Sequence, residues 1–311
     1  MTLLERPSGL NEIDGVVLMP RDRGFDEARR TFNGMMDKHP ALIVQCRSTS
    51  DVVAAVRAAR GAALPIAVRG GGHSVAGHGV ADDALVVDLR HMRNVEVDPR
   101  KRTARAEGGA QWLDVDTATV AHGLATTGGT FVDTGIAGLT LTGGIGYLMG
   151  TGGFTCDRLI GAEVVTTDGA VVRAGDGGDP DLLWALRGGG GNFGVVTSFS
   201  FTCVPVANVV AGPMFWPIER TEEILSWYRG FIGEQPTELG GFFNFHSVPP
   251  VDMFPEQYHL DHVCGVVWCC TDFENANELL APARALAPII DGVAEVPLPA
   301  MNTAFDGLYS P

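Results

Sequence analysis

A run of three glycines followed by a histidine and a serine is the chemically most informative stretch of the chain. Residues 69–74 read Arg-Gly-Gly-Gly-His-Ser and follow the apolar segment 64–68 directly. Glycines permit positive φ and leave backbone N–H groups accessible, so this turn is suited to enclosing a phosphate group. A phosphate loop alone needs no imidazole, so His73 indicates contact with the reactive part of a nucleotide cofactor. The alternative is an ordinary tight connection with a polar histidine beside it.

Two further glycine clusters follow, at residues 128–146 and 187–194. A glycine in regular structure costs up to about 1 kcal/mol of conformational entropy, so three separate clusters are hard to explain as coincident turns. They predict one extended ligand lying against the backbone. A dinucleotide-binding Rossmann fold is disfavoured, because its motif is missing. That motif is Gly-x-Gly-x-x-Gly directly after a first strand, with an acidic residue about twenty positions later.

Composition limits the classes of function. The 311 residues suffice for about two domains, and the net charge of −15, without a basic block, argues against nucleic acid or an anionic membrane as partner. The six cysteines form no Cys-x-x-Cys pair, which predicts reduced core thiols rather than disulfides or a metal site. No signal-like or membrane-spanning apolar stretch is found, so the expected location is cytoplasmic.

Short strands alternate with occasional helices, a pattern that favours an α+β fold over a doubly wound sheet. Alanines and valines at helical spacing predict a helix over 51–60, and residues 111–122 and 179–186 predict two more. The predicted strands before residue 205 are 41–45, 64–68, 85–89, 95–97, 103–107 and 195–201. Beyond it we predict strands at 239–245 and 263–269 and helices at 222–232 and 275–286.

The segments 69–78, 127–146 and 181–197 together resemble the flavin domain of the berberine-bridge-enzyme-like oxidases, within the vanillyl-alcohol oxidase superfamily. The resemblance covers residues 35–205 in order. It implies an α+β protein with a PCMH-type FAD-binding domain in residues 1–205. It also implies a partial antiparallel-sheet substrate domain, covered by helices, in residues 206–311.

The resemblance implies FAD as cofactor and His73 as its attachment site, through the 8α-methyl group of the flavin. An unlinked His73 near FAD is the alternative, and plain turn geometry is the alternative for each glycine. The residues implied to bind the cofactor are Arg69, Gly70, Gly71, Gly72, His73, Ser74, Gly77, His78, Gly129, Thr130, Thr134, Gly135, Gly138, Gly143, Gly144, Gly146, Gly194, Val195 and Val196.

Some members of this family attach the flavin a second time, through a cysteine in the loop that begins here at Thr130. Phe131 stands at that position, and a phenyl ring cannot form a thioether. We therefore expect a single covalent link. Cys156 lies outside the loop and is expected to be a packed core thiol. Thr134 stands where the family controls access of oxygen, which favours an oxidase over a dehydrogenase.

The implied reaction is hydride transfer from an alcohol, sugar or amine to the flavin, which O2 then reoxidises to give hydrogen peroxide. Four aromatic residues are candidates for a substrate pocket or for the core, namely Phe242, Phe243, Phe245 and Trp268. Family members continue beyond the end of this chain at residues 308–311, and their catalytic base lies in that later part. The sequence therefore names no catalytic base, no particular substrate and no oligomeric state.

Three readings of function remain open from the sequence. The first is a flavoprotein oxidase. The second is a flavin-binding but catalytically incomplete protein, motivated by the early end of the chain, which indicates either a fragment or a naturally short relative. The third is a nicotinamide-dependent reductase of the same superfamily, which His73 disfavours.

Overall fold

The computed structural model describes residues 6–11, 13–175, 177–251 and 254–304. Within these ranges the backbone forms three β-sheets with helices packed against them, so the predicted α+β class is confirmed. Residues 308–311, the end of the predicted incomplete domain, lie outside the described part of the chain.

The first sheet carries the first glycine run. Its elements are β1 (Val16–Leu18), α1 (Phe25–Ala28), β2 (Leu42–Gln45), α2 (Thr49–Gly61), β3 (Ile66–Arg69) and β4 (Leu85–Asp88). The strand order is β1-β2-β4-β3, with β2 and β3 parallel to β4. The side chain of Ser48 caps α2, whose apolar residues pack against the sheet. The run of glycines therefore leaves the carboxyl end of a parallel strand.

The second sheet lies beside the first and is antiparallel throughout. Its strands are β5 (Val95–Asp98), β6 (Thr103–Glu107), β7 (Leu159–Val165), β8 (Val171–Gly175) and β9 (Val195–Thr202). They lie in the order β5-β6-β9-β7-β8. Helices α3 (Trp112–Val120) and α7 (Pro180–Leu186) contribute Trp112 and Leu186 to its core. Both helices are predicted from the sequence: α3 is shorter than predicted at both ends, and α7 begins one residue later than predicted and ends at the predicted residue.

The second glycine cluster is partly helical. Between α3 and β7 the chain forms α4 (Ile136–Leu141), α5 (Met149–Gly152) and α6 (Thr155–Arg158). Gly138 therefore lies inside a helix rather than in a loop. Buried Thr140 Oγ1 donates to the carbonyl of Ile136 at 2.7 Å, one turn earlier in α4. The cluster is thus a compact turn-and-helix segment.

The third sheet has two differently covered faces. Its elements are β10 (Asn208–Pro217), α8 (Thr221–Phe231), β11 (Leu239–Ser247), β12 (His262–Cys270), α9 (Ala276–Arg284), β13 (Ile290–Asp291), β14 (Ala294–Pro297) and α10 (Leu298–Thr303). The order is β11-β12-β10-β13, with β14 also beside β10. One face packs under α8 and α9 through Trp216 and Trp268. The other packs, through Val267, against Leu148 of the second glycine cluster.

All six cysteines are buried free thiols, as predicted. Burial raises the pKa of the Cys203 thiol to about 11 and that of Cys269 to about 12. Thiols of this kind are poor nucleophiles and act as small apolar core groups.

Candidate functional site

The first and second glycine clusters meet through their backbones. A Cβ atom added to Gly71 would lie 2.3 Å from the backbone N of Gly135, and one added to Gly135 would lie 2.3 Å from the N of Gly71. No side chain fits at either position, because both neighbours are backbone atoms. The two segments that the sequence pattern assigned to one ligand are therefore adjacent in the fold.

The loop after β3 turns sharply at two glycines. Gly72 has φ +79° and Gly77 has φ +73°, a region that L side chains rarely adopt. The N–H of Gly77 donates to the carbonyl of Ser74 at 3.0 Å, and the Ser74 hydroxyl accepts from the N–H of His78 at 3.2 Å. The side chain of His78 is exposed at the far end of the turn. Ser74 thus stabilises the turn that follows His73.

His73 is held on two sides. Its ring stacks on Phe32 with centroids 4.5 Å apart and an interplanar angle of 17°. Its Nε2 lies 3.1 Å from Oδ2 of Asp133, and 19% of its side chain is exposed. The sequence reasoning missed both partners. Asp133 lies in the second glycine cluster, two residues before Gly135, so its position in the motif was the available signal.

Arg69 supports the loop from inside. Its guanidinium is buried, donates to the carbonyl of Ala28 and lies under Gly72, where an added Cβ would meet Nε at 3.1 Å. Burial lowers the pKa of Arg69 to about 10, and the nearby charge of Arg90 adds to this effect. Within the described residues its Nε has no hydrogen-bond partner. The cation therefore lies directly beneath the backbone that would hold a phosphate.

Most glycines of the second cluster are required either by a positive φ or by close packing. Gly143 and Gly144 have φ of +115° and +88°. A Cβ on Gly144 would lie 2.3 Å from Thr155 Oγ1, and one on Gly146 would lie 1.7 Å from the carbonyl oxygen of Gly128. A Cβ on Gly129 would lie 3.2 Å from Cδ1 of the Trp112 indole. Gly138, in contrast, has open space around it.

The third cluster reaches the first loop indirectly. Gly194 has φ +139°, and Val195 and Val196 are buried in β9. The carbonyl of Val196 lies behind Gly108, whose own carbonyl oxygen would be 3.3 Å from a Cβ on Gly70. The start of β9 therefore backs the first loop, while glycines 188–191 remain on the surface or near it.

Several buried polar atoms around the second cluster have no partner within the described residues. They are Trp112 Nε1, Thr126 Oγ1, Thr127 Oγ1 and Thr155 Oγ1. Buried donors are normally hydrogen-bonded, so unpaired ones concentrated at one segment point to a ligand rich in acceptors. Together with the glycine backbones and Arg69 Nε, they fit a phosphate-bearing cofactor such as FAD.

A cleft of about 260 Å³ separates the second glycine cluster from the third sheet. The residues that line it are Thr130, Phe131, Ile145, Tyr147, Phe242, Asn244, His246 and Val267. The first three come from the second glycine cluster, Tyr147 follows directly after it, and the others come from β11 and β12. The cleft therefore lies between the second glycine cluster on one side and the third sheet on the other.

Alternation along β11 decides which side chains reach the cleft. Phe242 lines it, whereas Phe243 packs against Tyr228 with ring centroids 6.0 Å apart, and 59% of Phe245 is exposed. Trp268 lies in the core under the helices. Only one of the four aromatic candidates thus lines the cleft. Asn244 and His246 share the face of Phe242 and were missed, although the two-residue period of a strand pointed to them.

The described residues that line the cleft include no Lys, Arg, Asp or Glu. Burial lowers the pKa of His246, whose ring lies 5.7 Å from that of Phe215. Within the described residues, no group of three or more His, Cys, Asp or Glu side chains is placed to hold a metal ion. In the same residues, no helix is both long and apolar enough to cross a membrane.

Comparison with known proteins gives consistent matches. Residues 40–175 match the family described as FAD binding domain. (R)-6-Hydroxynicotine oxidase of Paenarthrobacter nicotinovorans is 40% identical over 185 residues, covering 60% of this chain and 40% of that protein. FAD-linked oxidoreductase pgmH of Aspergillus terreus is 33% identical over 289 residues, covering 90% and 57%. The chain spans about half the length of the curated relatives it matches.

Solved structures share the arrangement of sheets. The crystal structure of 6-hydroxy-D-nicotine oxidase from Arthrobacter nicotinovorans superposes with a TM-score of 0.86 at 29% identity, covering 95% of this chain and 64% of that one. BBE-like 1 of Physcomitrella patens gives a TM-score of 0.81 at 22% identity, again covering 95% and 64%, which is a likeness of fold.

Proposed function

We propose that this chain, which belongs to the berberine-bridge-enzyme-like superfamily of FAD-linked oxidases, binds FAD and oxidises a small alcohol, sugar or amine. The observation that carries the proposal is the backbone contact between Gly71 and Gly135. It joins two glycine segments into one cradle and sets His73 beside Asp133 near the cleft. Bound FAD would supply the redox chemistry, accepting a hydride from the substrate and passing the electrons to O2 as hydrogen peroxide.

The residues around the cradle have separate roles in this proposal. Arg69 contributes positive charge beneath the first loop, and the backbone of residues 70–72 together with Gly135 receives the pyrophosphate. Thr130 and Thr134 contribute hydroxyl groups from the second cluster. The remaining residues proposed to bind the cofactor are Ser74, Gly77, His78, Gly129, Gly138, Gly143, Gly144, Gly146, Gly194, Val195 and Val196.

The covalent link is proposed at His73 alone. Its imidazole is fixed between Phe32 and Asp133 and remains partly exposed, which supports attachment to a flavin placed in the cradle. Phe131 lines the cleft at the position that implies the second link in some relatives. Cys156 is buried, and burial raises the pKa of its thiol, which disfavours the thiolate needed for a thioether.

A flavin-binding but catalytically incomplete protein is the second candidate. The chain covers 40% and 57% of the length of the two curated relatives described above, so the activity of the whole protein is a proposal in either case. Both candidates require FAD, and they differ in turnover.

One experiment separates the two candidates. The purified protein is precipitated with acid, and the pellet is tested for flavin absorbance. The native protein is then offered a panel of alcohols, sugars and amines in air while peroxide is measured. Flavin in the pellet together with peroxide formed from one substrate class supports the oxidase. Flavin in the pellet with no peroxide from any substrate supports the incomplete protein. A protein without flavin contradicts both.

A further inference from the structure

The wall of the cleft formed by β11 has a chemical character that limits the substrate. Three aromatic rings surround the space: Phe131 from the second glycine cluster, Phe242 from β11 and Tyr147 opposite it. The rings of Tyr147 and Phe242 meet edge to face, with centroids 5.5 Å apart at 62°. Aromatic walls of this kind favour a small ligand that is flat or apolar.

No Lys, Arg, Asp or Glu is among the described residues that line the cleft. His246 is the one imidazole among these residues, and burial lowers its pKa, which favours the uncharged ring. A charged ligand would lose its hydration here without meeting an opposite charge. The lining therefore selects against ionic ligands.

Asn244 gives the cleft a directional polar group. Its Nδ2 donates to the carbonyl of Phe242 at 3.1 Å, and while this bond is made Oδ1 is turned the other way. Oδ1 is buried, and no donor within the described residues reaches it. Because the terminal torsion of asparagine is broad, a modest rotation presents Oδ1 to a ligand. A buried acceptor without a partner is unfavourable, and an O–H or N–H group of a ligand would remove this cost.

We propose that Phe242 and Asn244 are specificity-determining residues, and that the cleft takes a small uncharged aromatic molecule with a single hydrogen-bond donor. The ring lies against Phe242 and Tyr147, and the O–H or N–H donates to Asn244 Oδ1. A sugar, with several hydroxyl groups, finds too few polar partners in this lining. The inference rests on the proposed function, since it assigns the substrate class of the same site.

The test uses the flavin-loaded protein and four probes of known charge: benzyl alcohol, benzylamine, benzoate and glucose. Binding is followed without turnover, by perturbation of the flavin absorbance under nitrogen. Benzyl alcohol should bind at least about tenfold more tightly than the two ions or glucose, a difference of about 1.4 kcal/mol. Equal or tighter binding of an ion or of glucose overturns the proposal.

Two variants with a matched control sharpen the result. Phe242→Ala should weaken benzyl alcohol binding by about tenfold, whereas Phe245→Ala, on the opposite face of the same strand, should leave it unchanged. Asn244→Asp should weaken benzyl alcohol and strengthen the benzylammonium cation. Thermal unfolding confirms that each variant is folded. Equal effects of Phe242→Ala and Phe245→Ala, or no response to Asn244→Asp, overturn the assignment.

This result is distinguishable from failure of the proposed function. Absence of bound flavin, or no reduction of the flavin by any substrate, contradicts the oxidase itself. If only an ionic substrate or a sugar reduces the bound flavin, the proposed oxidase function still holds and only the proposed substrate class is overturned.

Discussion

The imidazole Nε2 of His73 lies 3.1 Å from the carboxylate Oδ2 of Asp133. A carboxylate beside Nε2 favours the tautomer with its hydrogen on that nitrogen and leaves the lone pair on Nδ1. The stacked ring of Phe32 prevents the imidazole from turning freely. If flavin is attached at His73, Nδ1 is therefore the nitrogen that bonds to it, and Asp133 is a positioning residue for that bond.

Asp133→Asn should slow flavin attachment by about fivefold, the kinetic equivalent of a contact worth ~1 kcal/mol. The measurement is the fraction of flavin that stays with acid-precipitated protein at fixed times after FAD is added. Asp83→Asn, an exposed aspartate at φ +56° whose conformation asparagine tolerates, is the matched control. Attachment at the same rate in both variants would show that Asp133 does not position the ring.

Gly71→Ala should lower both stability and flavin content. The new methyl group meets the backbone N of Gly135 at 2.3 Å, which neither segment can relieve without moving. Overpacking of this kind costs about 1 to 3 kcal/mol. Gly61→Ala, with no atom within 4 Å of the added Cβ, is the control and should behave as wild type in urea unfolding and flavin absorbance. A Gly71→Ala protein with normal flavin content contradicts the cradle.

Stability should fall as pH rises, because of a carboxyl group at the junction of α3 and α10. Asp116 Oδ2 accepts a hydrogen bond from Asn302 Nδ2 at 2.6 Å. Burial raises the pKa of Asp116 to about 7, and the Asn302 bond opposes this in part. The unfolded chain loses this proton near pH 4, so folding becomes less favourable between about pH 4 and pH 7, by at most ~1.4 kcal/mol per pH unit.

Urea unfolding at pH 5 and pH 8 measures this effect. Asp116→Asn keeps an acceptor for Asn302 and has no proton to lose, so its stability should change less between the two pH values. Parallel pH dependence in wild type and Asp116→Asn would assign the effect to other groups.

Peptide mapping tests the number of flavin links. The flavin should be recovered on the peptide that contains His73 and on none that contains Cys156, because Phe131 occupies the cysteinyl position. Phe131→Cys should add a second flavinylated site, since that position lines the cleft. Flavin on a cysteine peptide of the wild-type protein contradicts the single link.

The sequence predicted most of the elements and the relation between the first two glycine clusters. Local patterns sufficed there, since periodicity marks strands and helices and glycine marks close backbone approach. Gly138 fits neither a ligand loop nor the alternative of a turn, because it lies inside α4 with open space beside it. A single helical glycine leaves no local signal that separates it from a turn.

The partners of the site required the fold. Phe32 lies 41 positions before His73, and nothing in its own surroundings marks it as a stacking partner. The exposed ring of Phe245 and the cleft residue Phe242 belong to one strand and look alike in sequence. Which face of β11 turns to the cleft is set by its packing on α8 and α9, a long-range property.

Acid precipitation of the wild type and of His73→Ala tests the central claim most directly. The wild-type pellet should hold one FAD per chain, detected by absorbance and by the mass of the intact protein. The His73→Ala pellet should hold none, although native His73→Ala retains dissociable FAD through the glycine cradle. A wild-type protein that releases all its flavin on denaturation, or a His73→Ala protein that keeps it, contradicts covalent attachment at His73.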